Sequence, residues 1–129
     1  MQVLFEGIWD KFNIANGTAL KGAVTGMYFS EAPQGTAYPY IVYHKISGVP
    51  GYTFSEDMEN VLIQFNIYDN SSSSTKINDI YAKLTALYDW CNLNVDGWNS
   101  IYMKRELDNL TRDNDIWNYF LQFRLEIQK

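Results

Sequence analysis

Tyr38-Pro39-Tyr40-Ile41-Val42-Tyr43, followed downstream by Val61-Leu62-Ile63-Gln64-Phe65-Asn66-Ile67-Tyr68, decides the reading of the fold. Pro39 suits the first residue of a strand, where the ladder does not need its missing N–H, and the β-branched and aromatic residues from Tyr40 to Ile46 continue as strand. The turn Ala32-Pro33-Gln34-Gly35 leads in. Pro33 is preset for the second turn position, and Gly35 is free to take φ > 0. The second segment alternates cleanly, with Val61, Ile63, Phe65 and Ile67 on one face and Gln64 and Asn66 on the other, as a half-buried strand requires.

Working outward, residues 76–91 place Ile77, Ile80, Tyr81, Leu84, Leu87, Tyr88 and Cys91 on one helical stripe. The four serines at 71–74 precede it and are candidates to accept from the free N–H groups of its first turn. Ile101, Met103 and Leu107 predict a third strand over about 100–107, and 111–115 reads as a polar hairpin tip. A fourth strand then turns Trp117, Tyr119, Leu121, Phe123, Leu125 and Ile127 inward. At the other end, Phe5, Ile8, Trp9 and Phe12 recur at helical spacing, Asn16-Gly17 is a stop signal, and Met27-Tyr28-Phe29 fits a short strand. Two hairpin-like pairs around one long helix predict the α+β class. The expected architecture is an antiparallel β-sheet of about four strands, with the long helix and an N-terminal helix packed on one face, in one domain over 1–129.

Composition narrows the function classes. Ten Lys and Arg against fifteen Asp and Glu give a net charge of −5, and the tightest basic cluster, Lys104-Arg105, has Glu106 beside it. That is not the footprint of a protein that grips nucleic acid, so no specific nucleic-acid binding is expected. Ten tyrosines and four tryptophans in 129 residues are heavy for a core of this size. They raise the expectation of a protein–protein surface, where a ring is buried on one side and wet on the other. One cysteine allows no internal disulfide, the N-terminal stretch lacks the pattern of a signal peptide, and no apolar run approaches the ~20 residues of a membrane span.

Catalytic and metal patterns are missing from the sequence. His44 is the single histidine and lacks any recognisable acid–base partner motif, so a polar strand residue is its plain reading. Cys91 reads as a small buried hydrophobe on the helical stripe. The carboxylates Glu56, Asp57, Glu59, Asp108, Asp113 and Asp115 do not fall in the register of a calcium loop and read as solvated charge. No phosphate loop or nucleophile elbow occurs. Neither a catalytic residue nor a cofactor or metal is therefore expected. The stretch 47–57 stands out instead, because it exceeds a tight hairpin and carries Val49, Tyr52 and Phe54 among glycines and a proline, with Glu56 and Asp57 at its exit. Connections of that length tend to be functional, and exposed aromatics favour a partner surface. The alternative is that Tyr52 and Phe54 fold back as a lid on the sheet. Arg112, Asp113 and Asp115 form a second candidate interface patch.

The order of Pro33-Gln34-Gly35, Tyr38-Pro39-Tyr40-Ile41-Val42, the strand 61–68, the helix after the serine run and the final strand through Phe120-Leu121-Gln122-Phe123-Arg124-Leu125 resembles the tail-completion family of long-tailed bacteriophages. These are the tail terminators and head-to-tail joining proteins. The resemblance implies a structural virion protein, not an enzyme, that caps the head-proximal end of the tail tube. Its implied partners are the tail tube protein, the head connector or neck protein, and its own copies in a sixfold ring through which DNA passes. Protruding loops make the contacts in that family, which points again to 47–57. Another neck or minor tail protein of similar fold, and a small α+β ligand-binding or enzymatic domain, remain as alternatives.

Overall fold

The structure, a computed structural model, describes residues 2–15, 18–52, 57–93 and 95–128. Helix α1 (Gln2–Asp10) runs into a π-helical turn (Lys11–Ala15) and is followed by α2 (Thr18–Ala23). Strands β1 (Met27–Phe29), β2 (Tyr40–Tyr52) and β3 (Asp57–Asp69) come next, then helix α3 (Thr75–Tyr88) and the hairpin β4 (Asn99–Asp113) and β5 (Ile116–Gln128). The strands form one sheet in the order β1-β2-β3-β5-β4. All neighbours are antiparallel except β1 and β2, which are parallel. The class is thus the expected α+β, with the short 27–29 segment adding a fifth strand at the edge.

Alternation along each strand sets one apolar face toward the helices. Val61, Ile63, Phe65 and Ile67 of β3 and Leu121, Phe123, Leu125 and Ile127 of β5 are all fully buried there. Helix α3 meets them with Ile77, Ile80, Leu84 and Tyr88, and α1 with Leu4 and Ile8. Phe65 lies at the centre, its ring 4.9 Å from Tyr88 and 5.5 Å from Phe123. Two buried tyrosines tie the layers together: the Tyr88 hydroxyl donates to the Ile8 carbonyl at 2.7 Å, and that of Tyr43 to the Phe5 carbonyl at 3.1 Å.

Burial raises both hydroxyls above the ordinary tyrosine value. That of Tyr43 is pushed up to about 12, first by burial and then by the Asp10 carboxylate, and that of Tyr88 goes well beyond the usual range. A phenol whose folded-state pKa is raised holds its proton more tightly in the fold than in the unfolded chain. Its stabilising share is therefore complete below about pH 10 and is lost as pH rises toward 12 and beyond. Melting temperatures should stay level to about pH 9 and fall steeply above pH 10. In Tyr43→Phe that alkaline fall should be shallower, which paired melts of the two proteins would show.

Several local expectations shift for identifiable reasons. The 33–36 turn closes with Thr36 N–H on the Pro33 carbonyl at 3.2 Å, so Pro33 occupies the first turn position and not the second. Gly35 takes φ +83° at the third, as a type II turn demands. The weakly patterned stretch after Asn16-Gly17, residues that lie outside the described set, is helical as α2. In the serine run, Ser74 takes the cap position without a side-chain cap bond. Ser73 Oγ instead accepts from the Thr75 N–H at 3.3 Å, and Ser71 Oγ donates to the buried Asp69 carboxylate at 3.1 Å. Helix α3 stops at Tyr88, and Trp90 at φ 57° turns the chain away before Cys91. The buried stripe runs through Leu4 and Ile8 of α1 to Phe12 of the π-helical turn, which leaves Trp9 on its flank, 39% exposed.

Strand β4 departs most from simple alternation. Its register against β5 slips between Ser100 and Tyr102 and again between Arg105 and Leu107. Ile101, in the first slip, is placed by its backbone alone. Each extra residue flips the downstream side chains to the opposite face. Met103 is fully buried, whereas Leu107, expected beside it, is 52% exposed, and Asp108 takes the helix-facing position. There Asp108 Oδ2 accepts from the Tyr81 hydroxyl of α3 at 2.7 Å, and Arg105 donates to the same hydroxyl. Met103→Ala should thus destabilise by about 2–5 kcal/mol, while Leu107→Ala should stay within about 0.5 kcal/mol. Urea unfolding of both variants checks the bulge, since equal losses would place both side chains in the core.

Candidate interaction surface

The helices cover one face of the sheet, and among the described residues no helix covers the other. At the centre of the open face, Gln122 Nε2 donates to Gln64 Oε1 at 2.9 Å and Gln64 Nε2 donates to Asn66 Oδ1 at 3.2 Å. Beside this amide ladder, Arg124 places Nε and Nη2 on the two oxygens of Glu106 at 3.1 and 3.0 Å and gives Nη1 to Asn60 Oδ1 at 2.7 Å. The guanidinium fork holds the Glu106 carboxyl below the ordinary value, and the carboxylate raises the arginine in turn. What is left is a polar surface whose central charges neutralise each other.

Toward β1 the same face becomes aromatic. Tyr38, Tyr40 and Tyr68 stand in a row, Tyr40 at 5.3 Å from each of the others, and Tyr28 meets Tyr40 edge-on at 6.5 Å. The Pro33-Gln34-Gly35 turn bends over them and closes a cleft of about 560 Å³ that also contains Glu31 and Val42. Burial, and after it the neighbouring tyrosine hydroxyls, push the Tyr40 and Tyr68 hydroxyls above their ordinary value. The two short sequence motifs thus come together in space, one as the floor of the cleft and the other as its rim.

The stretch 47–57 is not an eleven-residue loop. Pairing continues from Ser47↔Leu62 to Tyr52↔Asp57, so only 53–56 connect the two strands. Gly48, Pro50 and Gly51 read as strand breakers, but β1 pairs only with 41–43, and beyond that β2 is an edge, where a proline is tolerated. Val49, Tyr52 and Asp57 are placed here by their backbone, while Phe54 and Glu56 lie outside the described residues. The arm projects little, because β5 and β4 accompany it through Met58↔Gln128↔Asn99.

At the tip of the other hairpin, Asn114 and Asp115 both have positive φ, 49° and 64°, as a two-residue type I′ turn requires. The tip is thus shorter than 111–115, and Asp113 is still paired, with Ile116. Arg112 lies over the Trp117 ring at 4.8 Å and reaches Asp115 at 3.8 Å. Asp69↔Trp117 and Met58↔Gln128 mark opposite ends of β3, so the two candidate patches are not brought together. A strand of this length separates them by roughly 40 Å.

Compared with known proteins, the sequence matches no protein-family model and no curated protein. Its fold does have counterparts. A chain in the virion of a native gene transfer agent particle superposes with a TM-score of 0.82 over 95% of this chain and 94% of its own, at 11% identity. A second solved chain superposes with a TM-score of 0.66 over 99% of this chain and 95% of its own, at 13% identity. The fold is thus one found in a gene transfer agent particle.

At such identities the likeness is one of backbone, so the side chains must be read from this chain alone. His44 is half-buried on β2 opposite Gln64. Cys91 is half-buried past the end of α3, its Sγ 3.8 Å from Met103 Sδ, and burial pushes its thiol up to about 11. Among the described residues no three His, Cys, Asp or Glu side chains gather as a metal site would require. Sequence reasoning missed the open aromatic cleft and two exposed rings, Phe29 and Trp90, at 45% and 69%. Their type is visible in the sequence, but their exposure depends on a three-residue edge strand and on a helix that ends one turn early.

Proposed function

We propose that this protein is a structural virion component that caps the head-proximal end of a phage tail tube and offers the surface to which the head connector docks. The observation that carries the proposal is the superposition on a gene transfer agent virion chain, nearly complete in both directions. Two further features support it. The candidate contact regions sit at opposite ends of the sheet, as a protein with one partner above and another below needs. The open face is amide-lined, with its arginine neutralised by Glu106, so it would offer passing DNA little to adhere to.

Ring closure supplies the mechanism. Copies related by the tube's sixfold symmetry would make heterologous contacts that close, leaving one rim for the tube and the other for the head. No chemical step is required. Labelling intact particles with antibody-bound gold tests the position directly. Label at the head–tail junction is the expected result. Label along the tube, at the distal tip or on the capsid would favour another neck or minor tail component, and absence from purified particles would end the virion reading.

A further inference from the structure

A separate groove lies where α1 crosses the β1 edge, on the helical side of the sheet. Phe5 and Phe29 pack at 4.3 Å between ring centroids, and Tyr43 backs Phe29 at 5.4 Å. With Trp9 these rings line a cleft of about 400 Å³, and Phe29 and Trp9 remain 45% and 39% exposed. Glu6 and Asp10 form its rim. They stand one helical turn apart, a like-charge spacing that weakens a helix, and among the described residues neither has an ion-pair partner. Aromatic faces attract a cation, and two carboxylates at the same lip reinforce that preference.

We propose that this groove docks an apolar segment of a partner protein that carries an arginine, with the guanidinium between the Trp9 ring and the two carboxylates and its apolar neighbours against Phe5 and Phe29. A second copy of this chain is poorly equipped for the role. All three of its arginines are engaged internally, Arg105 with Asp108, Arg112 with Asp115 and Arg124 with Glu106. The inference stands on the groove alone and does not need the virion reading.

The test titrates the isotope-labelled full chain with the peptide acetyl-Ile-Arg-Leu-Arg-Ile-amide and follows the Trp9 indole and Phe29 amide signals by NMR. Shifts centred on those signals are expected. Binding should weaken by about tenfold when citrulline replaces arginine, or in the double variant Glu6→Gln/Asp10→Asn, whose melting temperature should not fall. Three results would overturn the proposal: no shift at those signals with millimolar peptide, equal binding of the citrulline peptide, or broadening of the groove signals with protein concentration alone, which would assign the groove to a second copy. None of them bears on the tail reading, which is judged on particles.

Discussion

Replacing Phe65 with alanine should destabilise the fold by about 3–5 kcal/mol, the usual range for emptying a fully buried aromatic site. The side chain is 0% exposed on the central strand of the five and touches both layers, with the rings of Tyr43, Tyr88 and Phe123 centred 5.9, 4.9 and 5.5 Å away. Each neighbour is held by its own backbone or hydrogen bond, so the surroundings cannot collapse into the gap. Native domains of this size hold about 5–15 kcal/mol in total, and the variant should therefore sit near the edge of folding at 37 °C. Urea unfolding with an unchanged slope and a much lower midpoint is the expected outcome. A loss below about 1 kcal/mol would mean that the helical layer does not pack on this face.

The second large effect is on assembly. Tyr52→Ala/Phe54→Ala should leave the melting temperature nearly unchanged and reduce infectious titre to the level of a strain lacking the gene. The pairing that ends at Tyr52↔Asp57 puts Tyr52 at the extremity of the sheet, past the last residue that β5 supports, while Phe54, two residues further along the chain, lies outside the described residues. Aromatic anchors at such a place supply contact area with few torsions to freeze. Unfolding of the double variant would show the rings to be core. A folded variant with wild-type titre would move the docking surface to the opposite end, to Arg112, Asp113 and Asp115.

The layers of this fold were legible because the apolar periodicities are strong: 61–67 and 117–127 alternate, and Ile77, Ile80, Leu84 and Tyr88 recur at helical spacing. What escaped depends on information that a local pattern does not hold. Leu107 looked like core because a bulge is silent in the alternation that it breaks. The extension of β2 through Pro50 was hidden because proline is excluded only from central strands, and edge position is a property of the whole sheet. The Pro33-Gln34-Gly35 and Tyr38-Pro39-Tyr40 motifs announced a turn and a strand, yet the cleft that they form together also needs Tyr68, about thirty residues away. Of the candidate contact residues, Arg112 and Asp115 do meet, while Val49, Tyr52 and Asp57 lie toward the far end.

The central claim, that the chain completes a tail and joins it to a head, is tested most directly by electron micrographs of lysates from the phage or prophage with this gene deleted. The account predicts filled heads and free tails in the same field, with tubes overlong where termination is also lost, and tailed particles restored when the gene is supplied in trans. Intact tailed particles of normal length in the deletion strain would contradict it.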